Sequence, residues 1–271
     1  MRTPKLGPHW VCSRASCGSG PFKQEKYTAK VGASFVRNAD YWGTPALPDR
    51  VEATFYDDYR PQILAVQGGE IDVIQQLPVL QAGGLLTDPG FAIIATLSSA
   101  HQQVHMRTDV DPFKDKRVRQ AIALWLDQPK LAQGLMRGKA QLGYDSPFMA
   151  ACPSTDKTVA QRALDVAKAR HLMEAAGMKD GFKTTLTTEK YLEIPDYAAL
   201  IQNAVKEIGG DVTLNIMDQG AYHGDAVPGK SSWLDSDRGI TDHGHRSVPN
   251  VCLQASLLST GTLDPAHFNN A

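Results

Sequence analysis

Pro112-Phe113-Lys114-Asp115-Lys116-Arg117-Val118-Arg119-Gln120-Ala121-Ile122-Ala123-Leu124-Trp125-Leu126 decides how this chain is read. Asp115 is placed to cap a helix by accepting backbone N–H bonds from its first turn. Val118, Ala121, Ile122 and Trp125 recur at helical spacing, so one face is buried while Lys116, Arg117 and Arg119 stay in water. The helix is expected over 116–126. Asp127-Gln128-Pro129 then supplies a second cap with Pro in the first turn, opening another helix to about Met136.

Upstream, Lys30 to Arg37 alternates with Val31, Ala33 and Phe35 on one face, as a half-buried strand does. Asn38 to Arg50 holds Gly43, Pro45 and Pro48 and reads as loop. Val51 to Tyr56 returns to strand character, and Arg60 to Gln67 is a short helix ended by Gly68-Gly69. Ile71 to Ile74 and Phe91 to Leu97 read as buried strands, and Gln103 to Arg107 alternates again. Downstream, the stripe Val159, Ala163, Val166, Ala169, Met173, Ala176 predicts one helix ending at Gly177. Phe182 to Thr187 is a strand, Ile194 to Ile208 a helix, and Val212, Leu214 and Ile216 a further strand. The strand-rich stretch of about 18–110 gives way near residue 111 to helix and strand in alternation, which suits an α/β lobe.

The order of residue types in 112–126 closely resembles the PF-D-RVRQA signature of the family 5 extracellular solute-binding proteins of peptide-type ABC importers. Further blocks resemble the same family in the same order: Gly18-Ser19-Gly20-Pro21-Phe22; Arg37-Asn38-Ala39-Asp40-Tyr41-Trp42-Gly43; and Gln62 to Asp72. Asp145-Ser146-Pro147-Phe148, Ala169 to Gly177, and Gly239-Ile240-Thr241-Asp242 through Pro249-Asn250 follow. The resemblance implies an α/β fold that is part of a two-lobe periplasmic-binding-protein-like clamshell (type II, peptide-binding class). It implies no catalysis and no cofactor. It implies a peptide or similar small-molecule ligand, a membrane ABC permease as partner, and a periplasmic location. Family members are longer, so an internal portion of such a protein is expected. Residues 1–17 are unassigned, 18–110 belong to a first lobe and 111–238 to a second. Residues 239–271 form a ligand-facing segment returning toward the first lobe. Gln128 stands where an Arg commonly follows the helix, and Leu263-Asp264 replaces a Trp-Asn pair.

Composition sets outer bounds. At 271 residues the chain could bury roughly 70–75% of its unfolded surface. Apolar content of 42% and charged content of 21% are ordinary for a globular protein. Lys plus Arg number 28 against 29 Asp plus Glu, and this net charge of −1 offers no field for nucleic acid or anionic membrane. No apolar run approaches bilayer length, and Met1 to Trp10 has no apolar core of a secretory signal. Of the four cysteines, Cys12 and Cys17 read as terminal thiols, Cys152 and Cys252 as small buried residues.

Several motifs compete for chemistry. Gly224-Asp225-Ala226-Val227-Pro228-Gly229-Lys230-Ser231 satisfies G-x-x-x-x-G-K-[ST], but no strand runs into the first Gly and no helical stripe leaves the Ser, so a polar surface loop is expected. Ser154 to Lys157 fits S-x-x-K without its companion motifs, and Ser154 reads as a helix-entry residue. Glu70, Asp72 and Glu193 read as solvated or capping carboxylates. Asp242-His243-Gly244-His245 gathers three potential metal ligands, and alternation would set His243 and His245 on one face. The competing reading of the whole chain is thus a metal-dependent hydrolase using Asp242, His243 and His245.

The resemblance instead implies that Asp242 receives the free amino group of a bound peptide, with His243, Arg246 and Asn250 flanking. The other reading of Asp242 is a turn cap before Gly244. Trp42 either covers a strand end beside Gly43 or walls the cleft.

Overall fold

The computed structural model describes residues 19–143, 145–149, 152–246 and 248–269. The chain divides by packing into two compact units, which meet in sequence between Gln76 and Leu77.

The first unit contains a three-stranded antiparallel sheet of β1 (Phe22–Thr28), β2 (Gly32–Arg37) and β3 (Arg50–Thr54), in that order. Helix α1 (Tyr59–Gln67) follows, with the Asp58 carboxylate accepting the Tyr59 N–H at 2.7 Å. Asn38 ties the loop after β2 to the start of β1: its Nδ2 donates to the Gly20 carbonyl at 3.0 Å, and its Oδ1 accepts the Asp40 N–H at 3.1 Å. Strand β1 escaped the sequence reading because Phe22-Lys23-Gln24-Glu25-Lys26-Tyr27-Thr28 has too few apolar residues to alternate.

The second unit carries a four-stranded sheet in the order β4-β7-β5-β6, built from β4 (His101–Met106), β5 (Phe182–Glu189), β6 (Gly210–Met217) and β7 (Arg238–His243). Strands β5, β6 and β7 are parallel, and β4 closes one edge antiparallel to β7. Its longer helices are α2 (Lys116–Trp125), α3 (Gln128–Met136), α4 (Val166–Ala175) and α5 (Ile194–Lys206). The short helices α6 (Gln219–His223), α7 (Ser232–Asp235) and α8 (Asn250–Ser256) complete it.

The quoted stretch folds as its residues require. Asp115 accepts the Arg117 N–H at 2.8 Å, and Val118, Ala121, Ile122 and Trp125 are buried. They join Ala169 and Met173 of α4, Ile194, Ala198, Ile201 and Val205 of α5, and Phe182, Leu186, Val212 and Ile240 of the sheet in one core. Alternating strand side chains face the other way. There Tyr222, Trp233 and Leu234 form a second, smaller cluster. Gly181, at φ +90°, starts β5 so close to Gly209 that a Cβ would lie 2.2 Å from the Gly209 carbonyl oxygen, which only glycine tolerates.

Four expectations need correction. The run Ile71 to Ile74 is not a strand, nor is Phe91 to Leu97; Val73, Ile94 and Leu97 are largely exposed, because neither run finds a neighbouring strand to pair with. The helix expected from Val159 begins only at Val166, where Asp165 accepts the Lys168 N–H at 2.9 Å and fixes the first turn. The division lies at 76/77 rather than near 111, because β4 pairs with β7 in the second unit's sheet. For the same reason Gly239 to His243 is an interior strand of that sheet. Cys12 and Cys17 lie outside the described residues; Cys152 is buried and Cys252 partly so. Among the described residues, no helix is long and apolar enough to cross a membrane.

Candidate functional site

In α/β sheets ligands gather beyond the carboxyl ends of parallel strands. Here those ends are Glu189 of β5, Met217 of β6 and His243 of β7. Glu189 is fully buried. One carboxylate oxygen accepts from Gln219 Nε2 at 2.9 Å and His223 Nε2 at 3.2 Å; the other accepts the Asp242 backbone N–H at 3.3 Å. Burial acts to raise the Glu189 pKa, but the bonds from His223, Gln219 and Asp242 outweigh it and hold the carboxyl below its ordinary value.

Asp242 lies one strand over. It sits within β7 opposite Gln102 of β4, so it is a strand residue and not a turn cap before Gly244. Its pKa is pushed up, first by burial and then by the Glu189 charge, with His101 opposing. Among the described residues no group donates a hydrogen bond to its carboxylate. Glu193, the residue at the N-cap of α5, is also buried and pushed up by burial, while the Val79 N–H donates to it; of the solvated and capping readings, burial excludes the first.

The imidazoles border this edge. His243 stacks on His101 with ring centroids 5.0 Å apart, and Trp233 meets His243 at 6.2 Å and His223 at 5.2 Å, edge to face. Burial, then repulsion from His101 and Arg246, lowers the His243 pKa to about 4. Next along β4, buried His105 falls to about 3 by burial and by repulsion from His243 and His267. Its partner across the ladder must be Gly239: a Cβ there would lie 2.5 Å from the His105 ring.

The expected site residues therefore separate. Asp242 and His243 stand at the strand edge. His245 and Arg246 lie past the end of β7, tied to Ser99: the Arg246 N–H donates to Ser99 Oγ at 2.7 Å, and the Ser99 N–H to His245 Nδ1 at 3.1 Å. Asn250 opens α8 and is exposed. Trp42 belongs to the first unit and is exposed; it is Tyr41, 2.8 Å from where a Gly43 Cβ would lie, that packs over the glycine. His223 was expected from the sequence to fold near the Asp242–His245 cluster; Glu189, His101 and Trp233 were not picked out.

The hydrolase arrangement does not form. Among the described residues no three His, Cys, Asp or Glu side chains converge as metal ligands, since His243 turns to His101 and His245 to Ser99. The Gly224–Ser231 loop follows helix α6, not a strand. Its Gly229 and Ser231 N–H groups donate to the Asp235 carboxylate at 2.8 and 3.1 Å. An internal carboxylate thus occupies the donors a phosphate would need.

The profile of the Bacterial extracellular solute-binding proteins, family 5 Middle, matches residues 13–238, and the chain belongs to this family. It is 26% identical over 261 residues to the glutathione-binding protein GsiB of Pectobacterium atrosepticum, covering 94% of this chain and 49% of that one. It is 26% identical over 220 residues to the oligopeptide-binding protein AppA of Bacillus subtilis, covering 75% and 40%. The chain thus spans about half the length of the curated relatives it matches, or less. Its fold is that of the solved Bacillus subtilis AppA in complex with a nonapeptide, with a TM-score of 0.78 at 22% identity over 94% of this chain and 53% of that one. It also matches DppA from Helicobacter pylori in complex with the peptide STSA, with a TM-score of 0.72 at 24% identity over 84% and 43%. The α/β, periplasmic-binding-protein-like fold expected from the sequence is the fold found.

Proposed function

We propose that this chain supplies ligand-gripping elements of an ABC importer's solute-binding protein, taking a peptide or similar amine-bearing molecule for delivery to a membrane permease. The family's extracellular character supports a periplasmic or outer-surface location. Asp242 is the anchor of this reading. It is half-buried at the carboxyl edge of parallel strands, and among the described residues nothing donates to its carboxylate. An ammonium brought out of water is costly to bury unless a carboxylate meets it, and this carboxylate is free to do so. Arg246 and Asn250, both exposed and downstream of Asp242, remain flanking contacts in the proposal. His243 acts from behind by packing on His101, and Trp42 has no observation in its favour.

Asp242→Asn should weaken binding of a free-amine tripeptide by about 2–5 kcal/mol, the usual cost of breaking a buried charge pair. An N-acetylated copy should bind the parent poorly and lose little more in the variant, as calorimetry would show. Equal binding of the free and acetylated peptides by the parent removes Asp242 from this role.

A further inference from the structure

The edge described above holds a carboxylate that the anchoring role does not use. Glu189 is fully buried, ends β5, and reaches across to the neighbouring strand, where it takes the Asp242 N–H. Its other oxygen accepts from Gln219 and His223 of α6. A buried carboxylate gripped by three donors from two other elements is held rigidly, and its charge is fixed in place. Resting on the anchor reading of Asp242, we propose that Glu189 is the positioning residue of this site: it clamps the β7 main chain at Asp242 and makes the Asp242 proton exchangeable for a ligand ammonium.

The charges facing Asp242 can be named element by element. Glu189 comes from β5 and Glu193 from the turn before α5, both carboxylates; His101 of β4 is the opposing imidazole. His243 adjoins it on β7, and His223 of α6 stands behind Glu189. Two carboxyl groups so placed disfavour a second negative charge, and Asp242 retains its proton to a higher pH than an isolated aspartate. A cation arriving at Asp242 removes that penalty, because it is attracted by both carboxylates at once. The proton leaves as the ammonium enters, and the N–H groups of the ligand replace it. Ligands with a positively charged amine are therefore bound with release of a proton where Asp242 is protonated, and without exchange at higher pH so long as the ligand amine, of pKa about 8, is itself fully charged.

Two measurements on the intact chain test this with different dependence on the anchor reading. The first needs no ligand: the Asp242 carboxyl titration, followed by NMR, should move to lower pH in Glu189→Gln. It should move in His223→Gln as well, where Glu189 loses the imidazole bonded to it. A shift to lower pH in Glu189→Gln and a shift in His223→Gln support the proposal, and His223→Gln serves alone if Glu189→Gln does not fold. An unchanged titration in the folded variants overturns it.

The second is calorimetry of a free-amine tripeptide in buffers of different ionisation enthalpy. Proton release by the parent should be greatest at the acidic end of its stability range and fall toward zero as pH approaches neutrality, where the tripeptide amine is still charged. Glu189→Gln should release less at the same acidic pH and bind roughly tenfold more weakly at neutrality. Identical proton release by parent and variant overturns the exchange. Failure of the anchor reading has its own signature, equal binding of free and acetylated peptide, and leaves the NMR coupling in place.

Discussion

Residues 19–76 and 77–269 are both built around a sheet, yet they secure it by different means. Among the described residues of the first unit the buried apolar side chains are few and small, Ala33, Ala65 and Val66, while Val31, Tyr27, Val51 and Phe55 remain substantially exposed. Its strands are laced instead by exposed ion pairs, Arg50 to Glu25 at 2.6 Å, Lys23 to Asp40 at 2.8 Å and Arg37 to Asp49 at 2.9 Å. Such pairs contribute little in water, because each orders two long side chains and is screened by salt. In the second unit α2, α4 and α5 cover one sheet face with a continuous apolar core. Each fully buried aliphatic there adds about 1.5–3 kcal/mol. Among the described residues, the apolar burial that favours cooperative stability is concentrated in the second unit.

The largest expected effect breaks or confirms that contrast. Leu186, central in β5 and fully buried, should cost about 2–5 kcal/mol when changed to Ala, from lost transfer energy and the cavity left behind. Val51→Ala in β3, at a position 38% exposed, should cost less than about 1 kcal/mol. Denaturant unfolding with core and surface probes measures both. Comparable losses would show that the first unit contains a core of equal weight.

A stabilising substitution sharpens the comparison from inside the core. Arg238 enters β7 fully buried, its guanidinium 5.5 Å from the Phe113 ring. Among the described residues none of its three nitrogens has a hydrogen-bond partner, and burial alone lowers its pKa to about 10. A buried charge without a partner opposes folding, so Arg238→Met should stabilise the chain by about 1–4 kcal/mol. The sign with pH is fixed. A cation whose folded pKa lies below its unfolded value destabilises most where both states are charged, and the penalty fades as pH rises through the folded pKa. The advantage of the Met variant should be full at pH 7 and shrink above about pH 10. A loss of melting temperature in Arg238→Met would mean that the guanidinium has an acceptor after all.

What could be read from the sequence follows from the range of the interactions. Helices α2 and α3 carry their own caps and stripes, Asp115 with Val118 to Trp125 and Asp127 with Pro129, and both form where their residues predict. Strand β7 does not announce itself, because Arg-Gly-Ile-Thr-Asp-His has no apolar period; its place is set by ladders to β4 and β5, more than 50 residues away in the chain. Phe91 to Leu97 has the opposite history: an apolar run with nothing to pair against stays exposed. At the proposed site, Asp242 was singled out twice, by its spacing to His243 and His245 and by a family likeness, and only the likeness suggested an amine anchor. Glu189 gave no signal, since its meaning lies in bonds to α6 and β7 that no local pattern encodes. His243 and His245 misled for a related reason. Their spacing suggested a shared face, but the strand ends at His243, and Ser99 draws His245 away.

The smallest effect concerns the loop that most resembles a nucleotide site. Lys230 is exposed, and its nearest carboxylate, that of Asp225, is 3.9 Å away and exposed as well. The loop's form comes from Asp235, which accepts the Gly229 and Ser231 N–H groups, and Lys230 takes no part in those bonds. Lys230→Ala should therefore change stability by less than about 0.5 kcal/mol, as surface substitutions away from caps and cores do. Mg-ATP should shift the melting temperature of neither protein, because phosphate would have to displace a carboxylate of the chain from the same donors. A stabilisation by Mg-ATP that vanishes in Lys230→Ala would show that Asp235 yields those N–H groups. A functional site would then lie in a surface loop that owes nothing to the core or to the carboxyl edge of the sheet.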